Sequence, residues 1–140
     1  MKSVPKRSVW VILIGLFLAG AMPSSATLHA QEFSQISPDE LKNMIESKKN
    51  DFLVVDVQPK VVYDTGHIKG AVNFPWAANI RSAASLPKDK MLVLYCDCTH
   101  EEDSTSTAAQ LKEKFGYTNV RVLKGGWSGW LKLGYPTEKK

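Results

Sequence analysis

The chain has 140 residues, of which 44% are apolar and 23% are charged. These fractions are ordinary for a globular protein and exclude wholesale disorder or a collagen-like repeat, and the length excludes two full-sized domains. Residues 1–30 carry three Lys or Arg and no acid, whereas residues 31–140 carry the remaining 15 Lys or Arg against 14 Asp or Glu. The main part of the chain is therefore nearly balanced in charge, and we expect no nucleic-acid partner.

The first 30 residues have the composition of a secretory signal peptide. Lys2, Lys6 and Arg7 precede an apolar run over residues 9–22, and small residues follow it. The run is shorter than the ~20 residues of a comfortable bilayer span. We expect cleavage after Ala26 or Ala30 and export, to the periplasm in a bacterium. The alternative is an uncleaved signal anchor in the inner membrane, the one case in which membrane contact is expected.

The rest of the chain, residues 31–140, reads as a single domain of alternating helices and strands. Ser37 and Pro38 are typical of a helix start, and Gly116 is typical of a helix end. The sequence predicts strands over residues 52–56, 71–74, 91–95 and 120–123, and helices from residue 38, over 105–115 and over 127–133. Residues 79–90 are predicted to form a surface loop with a helical turn. This alternation predicts an α/β fold with a parallel sheet covered on both faces.

Both cysteines of the chain, Cys96 and Cys98, follow the predicted strand 91–95 and are separated by Asp97 alone. A disulfide between them would close a tiny, strained loop, so a structural bridge is not expected. A loop between a strand and a helix start directs several backbone N–H groups into one cradle, where the helix dipole adds partial positive charge. We predict that a thiol in this cradle has a lowered pKa and reacts as a thiolate.

Several motifs, in order along the chain, resemble those of rhodanese-like domains. They are Asp56-Val57, Gly66-His67-Ile68-Lys69-Gly70-Ala71-Val72-Asn73-Phe74-Pro75, Tyr95-Cys96, Phe115-Gly116-Tyr117, and Val122-Leu123 with Gly125-Gly126-Trp127. The resemblance covers roughly residues 36–136. It implies a central parallel five-stranded sheet with helices on both faces. It also implies sulfur transfer without a cofactor, in which a loop cysteine takes sulfane sulfur as a persulfide and passes it to a thiol or another thiophilic acceptor.

The cysteine loop departs from the family pattern. Gln58 replaces the family's Arg, Val62 replaces an acidic residue, and the usual Arg-Ser at the helix start is missing. Cys96 holds the usual place after the strand tyrosine, whereas Cys98 fits the spacing to the helix better. We therefore favour Cys98 as the nucleophile and keep Cys96 as its partner or alternate. The other loop residues are assigned to substrate binding: Asp97, Thr99, His100, Glu101, Glu102, Asp103, Ser104 and Thr105.

The loop carries four carboxylates and no Lys or Arg between residues 96 and 105. Coulomb repulsion opposes a dianion such as thiosulfate and raises a thiol pKa, against the effect of the helix end. We therefore expect a neutral or protein-borne persulfide donor and a thiol acceptor, with a redox partner protein as a further option. The missing Arg also argues against a phosphatase or arsenate reductase, which need a guanidinium to hold an oxyanion.

Four other side chains are considered for a role at the site: His100, Asp56, His67 and Trp76. Cys96, Cys98 and His100 alternate and could ligate Cu(I) or Zn²⁺, but this spacing is not one that indicates a metal site, and no metal is predicted. Asp56 is assigned as a supporting residue that orients backbone amides in the neighbouring loop. His67, as the resemblance implies, belongs to a structural turn. Trp76 is placed at the mouth of the site.

Two alternatives to a sulfurtransferase stay open. The domain could be a catalytically weak binding module for a metal or a protein partner, because its loop has lost the Arg. It could also be a thiol redox sensor, because the second thiol could resolve a persulfide or bond transiently to a redox partner.

Overall fold

The computed structural model describes residues 33–140, so the predicted signal segment lies outside the described residues. The elements in chain order are β1 (Gln35–Ile36), α1 (Pro38–Glu46), β2 (Phe52–Asp56), α2 (Lys60–Thr65), β3 (His67–Ile68), β4 (Val72–Asn73), β5 (Met91–Tyr95), α3 (Glu102–Phe115), β6 (Val120–Leu123), α4 (Gly126–Lys132) and β7 (Thr137–Glu138). Within the described range, no helix has the length and apolar character needed to cross a membrane.

A five-stranded sheet forms the centre of the domain, in the order β1-β6-β5-β2-β4, and every neighbouring pair is parallel. The predicted central parallel sheet is thus confirmed. Strands β5 and β2 lie next to each other near the middle, where their apolar residues are covered on both faces, which explains why each reads as a continuous apolar run. A separate antiparallel pair joins β3 to β7 near the C-terminus.

Apolar side chains pack on each face of this sheet. On one face, Val55, Leu94 and Val122 pack with Ala108 and Leu111 of α3. On the other, the neighbouring strand residues pack with Leu41 of α1 and Trp130 of α4. The expected placement of helices on both faces is confirmed, because successive strand residues point to opposite faces of the sheet.

The helix ends follow the sequence signals with one difference. Ser37 caps α1, since its side-chain oxygen accepts the N–H of Glu40 at 3.1 Å. Gly116 ends α3 in the left-handed conformation, at φ 70°. Helix α3, however, begins at Glu102 and not at Thr105 as predicted. Glu101, at φ 55°, has a left-handed backbone and is the residue that precedes the helix. Two acidic residues in the first turn of α3 interact favourably with the helix dipole, which favours this earlier start.

The strand register brings the ends of β2 and β5 to the same edge of the sheet. Asp56 pairs with Tyr95, and the N–H of Val57 donates to the carbonyl of Tyr95 at 3.0 Å. The loops that follow these two strands therefore emerge side by side. In parallel α/β sheets this edge is where ligands bind.

Candidate active site

Cys96 is the first residue after β5, and it is fully buried. Its side chain is 1% exposed and lies in the apolar cluster beneath α3. Its Sγ atom is 3.5 Å from Oγ of Ser104, and its carbonyl accepts the N–H of Trp127 at 2.9 Å. A small molecule has no direct approach to this sulfur.

Cys98 is half-buried and lies in the loop between β5 and α3. It packs against the cluster that contains Cys96, and the neighbouring Cys96 thiol is one of the groups that raise its pKa. Asp103, in the first turn of the helix, acts on this thiol in opposite directions, because its backbone N–H lowers the pKa of Cys98 and its carboxylate raises it. Of the two cysteines, Cys98 is therefore the one that an external reactant can reach.

The predicted lowering of the thiol pKa is wrong for Cys98. Burial and the hydrogen bond with Cys96 raise the pKa of Cys98 from 9.0 to about 12, and the Asp103 amide opposes them only in part. A single helix N–H does not outweigh desolvation combined with a neighbouring thiol and a carboxylate. Cys98 is therefore a neutral thiol at physiological pH.

Two of the four loop carboxylates connect the loop to the start of α4. Asp97 Oδ1 accepts the N–H of Ser128 at 3.1 Å and its hydroxyl at 2.5 Å. Glu101 Oε1 accepts the N–H of Gly125 at 2.8 Å. These acids satisfy backbone donors at a helix end, so they hold the loop in place as well as opposing an anionic substrate.

Removing the Asp97 connection is expected to weaken the domain. Asp97→Ala should lower the free energy of unfolding by about 1 kcal/mol, the usual cost of losing a helix-capping side chain. Glu113→Ala, in α3, is the matched control, because Glu113 is exposed and has no side-chain hydrogen bond or ion pair among the described residues. Urea unfolding of the two variants checks this; equal stability would show that the Asp97 contact contributes nothing.

The remaining loop residues occupy the rim and the first turn of α3. Thr99 is exposed. Ser104 and Thr105 lie within the helix, where the Ser104 hydroxyl and the Thr105 N–H both donate to the carbonyl of Glu101, at 3.0 and 2.8 Å. His100 is 81% exposed and its ring is 3.5 Å from Glu102. Within residues 33–140, no group of three Cys, His, Asp or Glu side chains could hold a metal ion, and the structure does not bring His100 together with Cys96 and Cys98 as a ligand set.

Asp56 is completely buried and organises the loop after β2. Its carboxylate accepts the N–H of Gln58 at 2.8 Å and the hydroxyl of Tyr95 at 2.6 Å. The hydroxyl oxygen of Tyr95 in turn accepts the N–H of Ile68 at 3.0 Å. Burial raises the pKa of Asp56, and the hydrogen bonds from Tyr95 and Gln58 oppose that rise. The amide that Asp56 orients is thus in the loop after its own strand.

His67 has structural contacts only. Its Nδ1 atom is 2.8 Å from the carbonyl of Tyr63, its ring stacks on the Tyr63 ring at 3.8 Å, and its Nε2 atom is 3.4 Å from Glu138. These partners belong to α2 and β7, away from the cysteine loop. The geometry agrees with a histidine that shapes a turn.

An open cleft of about 210 Å³ lies beside the cysteine loop. The residues that line it are Val57, Pro59, Pro75, Trp76 and Asp103. Trp76 is 42% exposed, and its Nε1 atom donates to Oγ of Ser106 at 3.3 Å. Trp76 therefore lines this cleft, and Asp103, which acts on the pKa of Cys98, lines it as well.

Sequence reasoning missed two partners of the loop, Gly125 and Ser128. Their contacts with Glu101 and Asp97 join residues 24 and 31 positions apart, beyond the range of any local pattern. One sequence signal does indicate these contacts. Glycine has no side chain that can cap a helix, so the backbone amides at the start of α4 need acceptors from another part of the chain. The nearby loop acids supply those acceptors.

The fold agrees with a comparison against known families. A family model described as Rhodanese-like domain matches residues 37–133. The chain belongs to the rhodanese-like domain family, as its motifs indicated.

The chain is also similar in sequence to individual proteins. The chain is 30% identical over 105 residues to the adenylyltransferase and sulfurtransferase UBA4 of Debaryomyces hansenii, a match that covers 70% of this chain and 23% of that protein. The Saccharomyces cerevisiae protein of the same name is 33% identical over 95 residues, covering 57% of this chain and 21% of that protein. The chain thus spans less than a quarter of the length of these two relatives.

Solved structures share the fold. The rhodanese-like domain of the Anabaena sp. Alr3790 protein matches with a TM-score of 0.64 and 32% identity, covering 78% of this chain and 81% of that one. The Bacillus halodurans BH2092 protein matches with a TM-score of 0.69 and 26% identity, covering 76% and 77% of the two chains.

Proposed function

We propose that the domain is a sulfurtransferase or sulfur carrier that holds sulfane sulfur as a persulfide on Cys98. The observation that carries this proposal is the position of the Cys98 thiol. It is the more exposed of the two thiols, it lies in the loop that leads into α3, and Asp103, which acts on its pKa, also lines the adjacent cleft. Membership of the rhodanese-like family and similarity to proteins named as sulfurtransferases support the same reaction.

The donor we propose is a neutral or protein-borne persulfide. The cleft is lined by apolar residues and one carboxylate, with no cationic side chain among them. Gln58, which stands where the family has Arg, is buried and hydrogen-bonded to Asp56, so it offers no charge to a dianion. A dianion such as thiosulfate would meet the Asp103 carboxylate without a counter-charge.

Transfer onto Cys98 needs its proton removed, because the resting thiol is neutral. The Asp103 carboxylate is close enough to raise the pKa of this thiol, and we assign it as the group that accepts the proton. The sulfur then attacks the outer sulfur of a donor persulfide, the donor S–S bond breaks, and the donor leaves as a thiolate that takes up a proton. An acceptor thiolate next attacks the outer sulfur held on Cys98 and restores the Cys98 thiol.

Two further features belong to this proposal. The proposed partners are a small or protein-borne sulfur donor and a thiol acceptor. The proposal does not include adenylyl transfer, which the names of the much longer relatives also state. Export from the cytoplasm, supported by the sequence of residues 1–30, would place the reaction in the periplasm of a bacterium.

The test loads the full-length chain with glutathione persulfide and measures added sulfur by peptide mass spectrometry. Cys96→Ser is expected to gain one sulfur atom on Cys98, which cyanide then releases as thiocyanate. Cys98→Ser, the matched variant, is expected to lose this label, and thiosulfate should load Cys96→Ser at least ~10-fold more slowly than the persulfide. Labelling of Cys96 in Cys98→Ser would overturn the assignment of the nucleophile.

One observation favours a second candidate, a rhodanese-fold binding module. Burial and the Cys96 thiol hold Cys98 in its protonated form, which suits an inactive site. The same experiment separates the candidates, because a binding module would gain no sulfur on either cysteine from either donor.

A further inference from the structure

The two thiols of the chain differ in exposure. Cys96 is 1% exposed, and Cys98 is half-buried and packs against the cluster that contains Cys96. The chain has no other cysteine. Any reaction of Cys96 with an external sulfur compound must therefore pass through Cys98.

The surroundings of Cys96 hold it in this position. Ser104 Oγ is 3.5 Å from its sulfur, and Trp127 binds its carbonyl. Asp97, the residue between the two cysteines, is itself bound to Ser128. The buried thiol is thus held within the cluster against which Cys98 packs, and the open cleft lies beside the loop near Asp103.

We propose that Cys96 is a resolving thiol, which converts the persulfide on Cys98 into an internal disulfide and releases hydrogen sulfide. This inference rests on the proposed persulfide chemistry of Cys98 and extends it. It makes the domain a persulfide reductase when no acceptor thiol takes the sulfur first.

The step balances without an oxidant. The Cys96 sulfur, having lost its proton, attacks the inner sulfur of the Cys98 persulfide, which forms the Cys96–Cys98 bond and breaks the bond to the outer sulfur. The outer sulfur leaves with the electron pair and ends as hydrogen sulfide, carrying the persulfide proton and the proton from Cys96. Both cysteine sulfurs are oxidised and the sulfane sulfur is reduced.

The geometry suits both this step and its reversal. Cys96 lies two residues before Cys98 and belongs to the cluster against which Cys98 packs, so it is the one thiol of the chain that could attack a persulfide on Cys98 from within the protein. A disulfide between residues two apart is strained, and strained disulfides are the more readily reduced ones. An external dithiol could reach the half-buried Cys98 sulfur, become oxidised to its own disulfide, and return both thiols.

The test follows one turnover of the full-length wild-type chain. The reduced protein is mixed with one equivalent of glutathione persulfide in the absence of other thiols, free thiols are then blocked by alkylation, and released sulfide is measured. We expect about one equivalent of sulfide per chain, with the peptide that contains both cysteines lighter by two hydrogens and resistant to alkylation. Addition of a small dithiol should restore two alkylatable cysteines.

Two variants make the outcome decisive. Cys96→Ser should keep the added sulfur on Cys98 and release no sulfide, and Cys98→Ser should neither gain sulfur nor release it. If wild type also keeps a stable persulfide and releases no sulfide, the resolving role is wrong while the sulfurtransferase proposal stands. If neither wild type nor Cys96→Ser gains sulfur or releases sulfide, both proposals fail.

Discussion

Alkylation of Cys98 by a neutral reagent at pH 7 is expected to be about a thousandfold slower than that of an ordinary exposed cysteine. The reason is the pKa of Cys98, which burial and the contact with Cys96 raise from 9.0 to about 12. Only the thiolate reacts, and below the pKa its fraction grows tenfold with each pH unit. The rate should therefore keep rising from pH 7 through pH 10 without levelling off near pH 9.

Peptide mapping after timed alkylation measures this rate for Cys98 separately from Cys96. The control is Cys96→Ala, which removes the second-largest cause of the raised pKa and should speed the alkylation of Cys98 at neutral pH. A wild-type profile that levels off at or below pH 9 would show that the helix amide, and not burial, governs the thiol. Such a result would support the sequence-based prediction that the loop thiol has a lowered pKa and reacts as a thiolate.

Gly126→Ala is expected to destabilise the domain by about 2–4 kcal/mol, because it combines backbone strain with a steric clash. Gly126 has φ 50°, a conformation that residues with a Cβ atom rarely adopt. A Cβ atom at this position would come well under 3.0 Å from the carbonyl oxygen of Cys96. That carbonyl is fixed by the N–H of Trp127, so neither backbone can move away without breaking the contact between α4 and the cysteine loop.

Gly129→Ala is the matched control within the same short helix. The nearest atom to a Cβ there would be the carbonyl oxygen of Lys124 at 3.9 Å, an ordinary contact. Replacing a helical glycine by alanine usually stabilises by roughly 0.5–1 kcal/mol. Urea unfolding and persulfide loading of both variants provide the measurement; if Gly126→Ala is as stable as wild type, the close approach to Cys96 does not constrain the loop.

Much of the fold was predictable because its main elements carry local signals. β2 and β5 are continuous apolar runs, and α1 has a serine cap followed by proline. Helix α2 was missed, since it has six residues, no side-chain cap and two adjacent valines. It depends on tertiary contacts such as the hydrogen bond from the Tyr63 hydroxyl to the carbonyl of Ala71 at 2.8 Å. The two-residue strands β1, β3 and β7 are too short to show a pattern.

The site was predictable in position but not in its electrostatics. A strand that ends at Tyr95 and is followed by Cys96-Asp97-Cys98 and a helix locates the loop, and Trp76 lines the cleft beside it. The pKa of Cys98 depends on how deeply the thiol is buried and on its contact with Cys96, which spacing does not reveal. The roles of Asp97 and Glu101 depend on contacts with Ser128 and Gly125, which are distant in the sequence. From the sequence, the one role evident for their negative charges was repulsion of an anionic substrate.

The bonds from Asp97 and Glu101 to Ser128 and Gly125 have a consequence for protein engineering. A catalytic loop taken from another member of the family and grafted between β5 and α3 would leave the first amides of α4 without their acceptors. A working graft would have to exchange the segment around residues 125–128 at the same time. The unit that can be transplanted is therefore the loop together with the helix start that it caps.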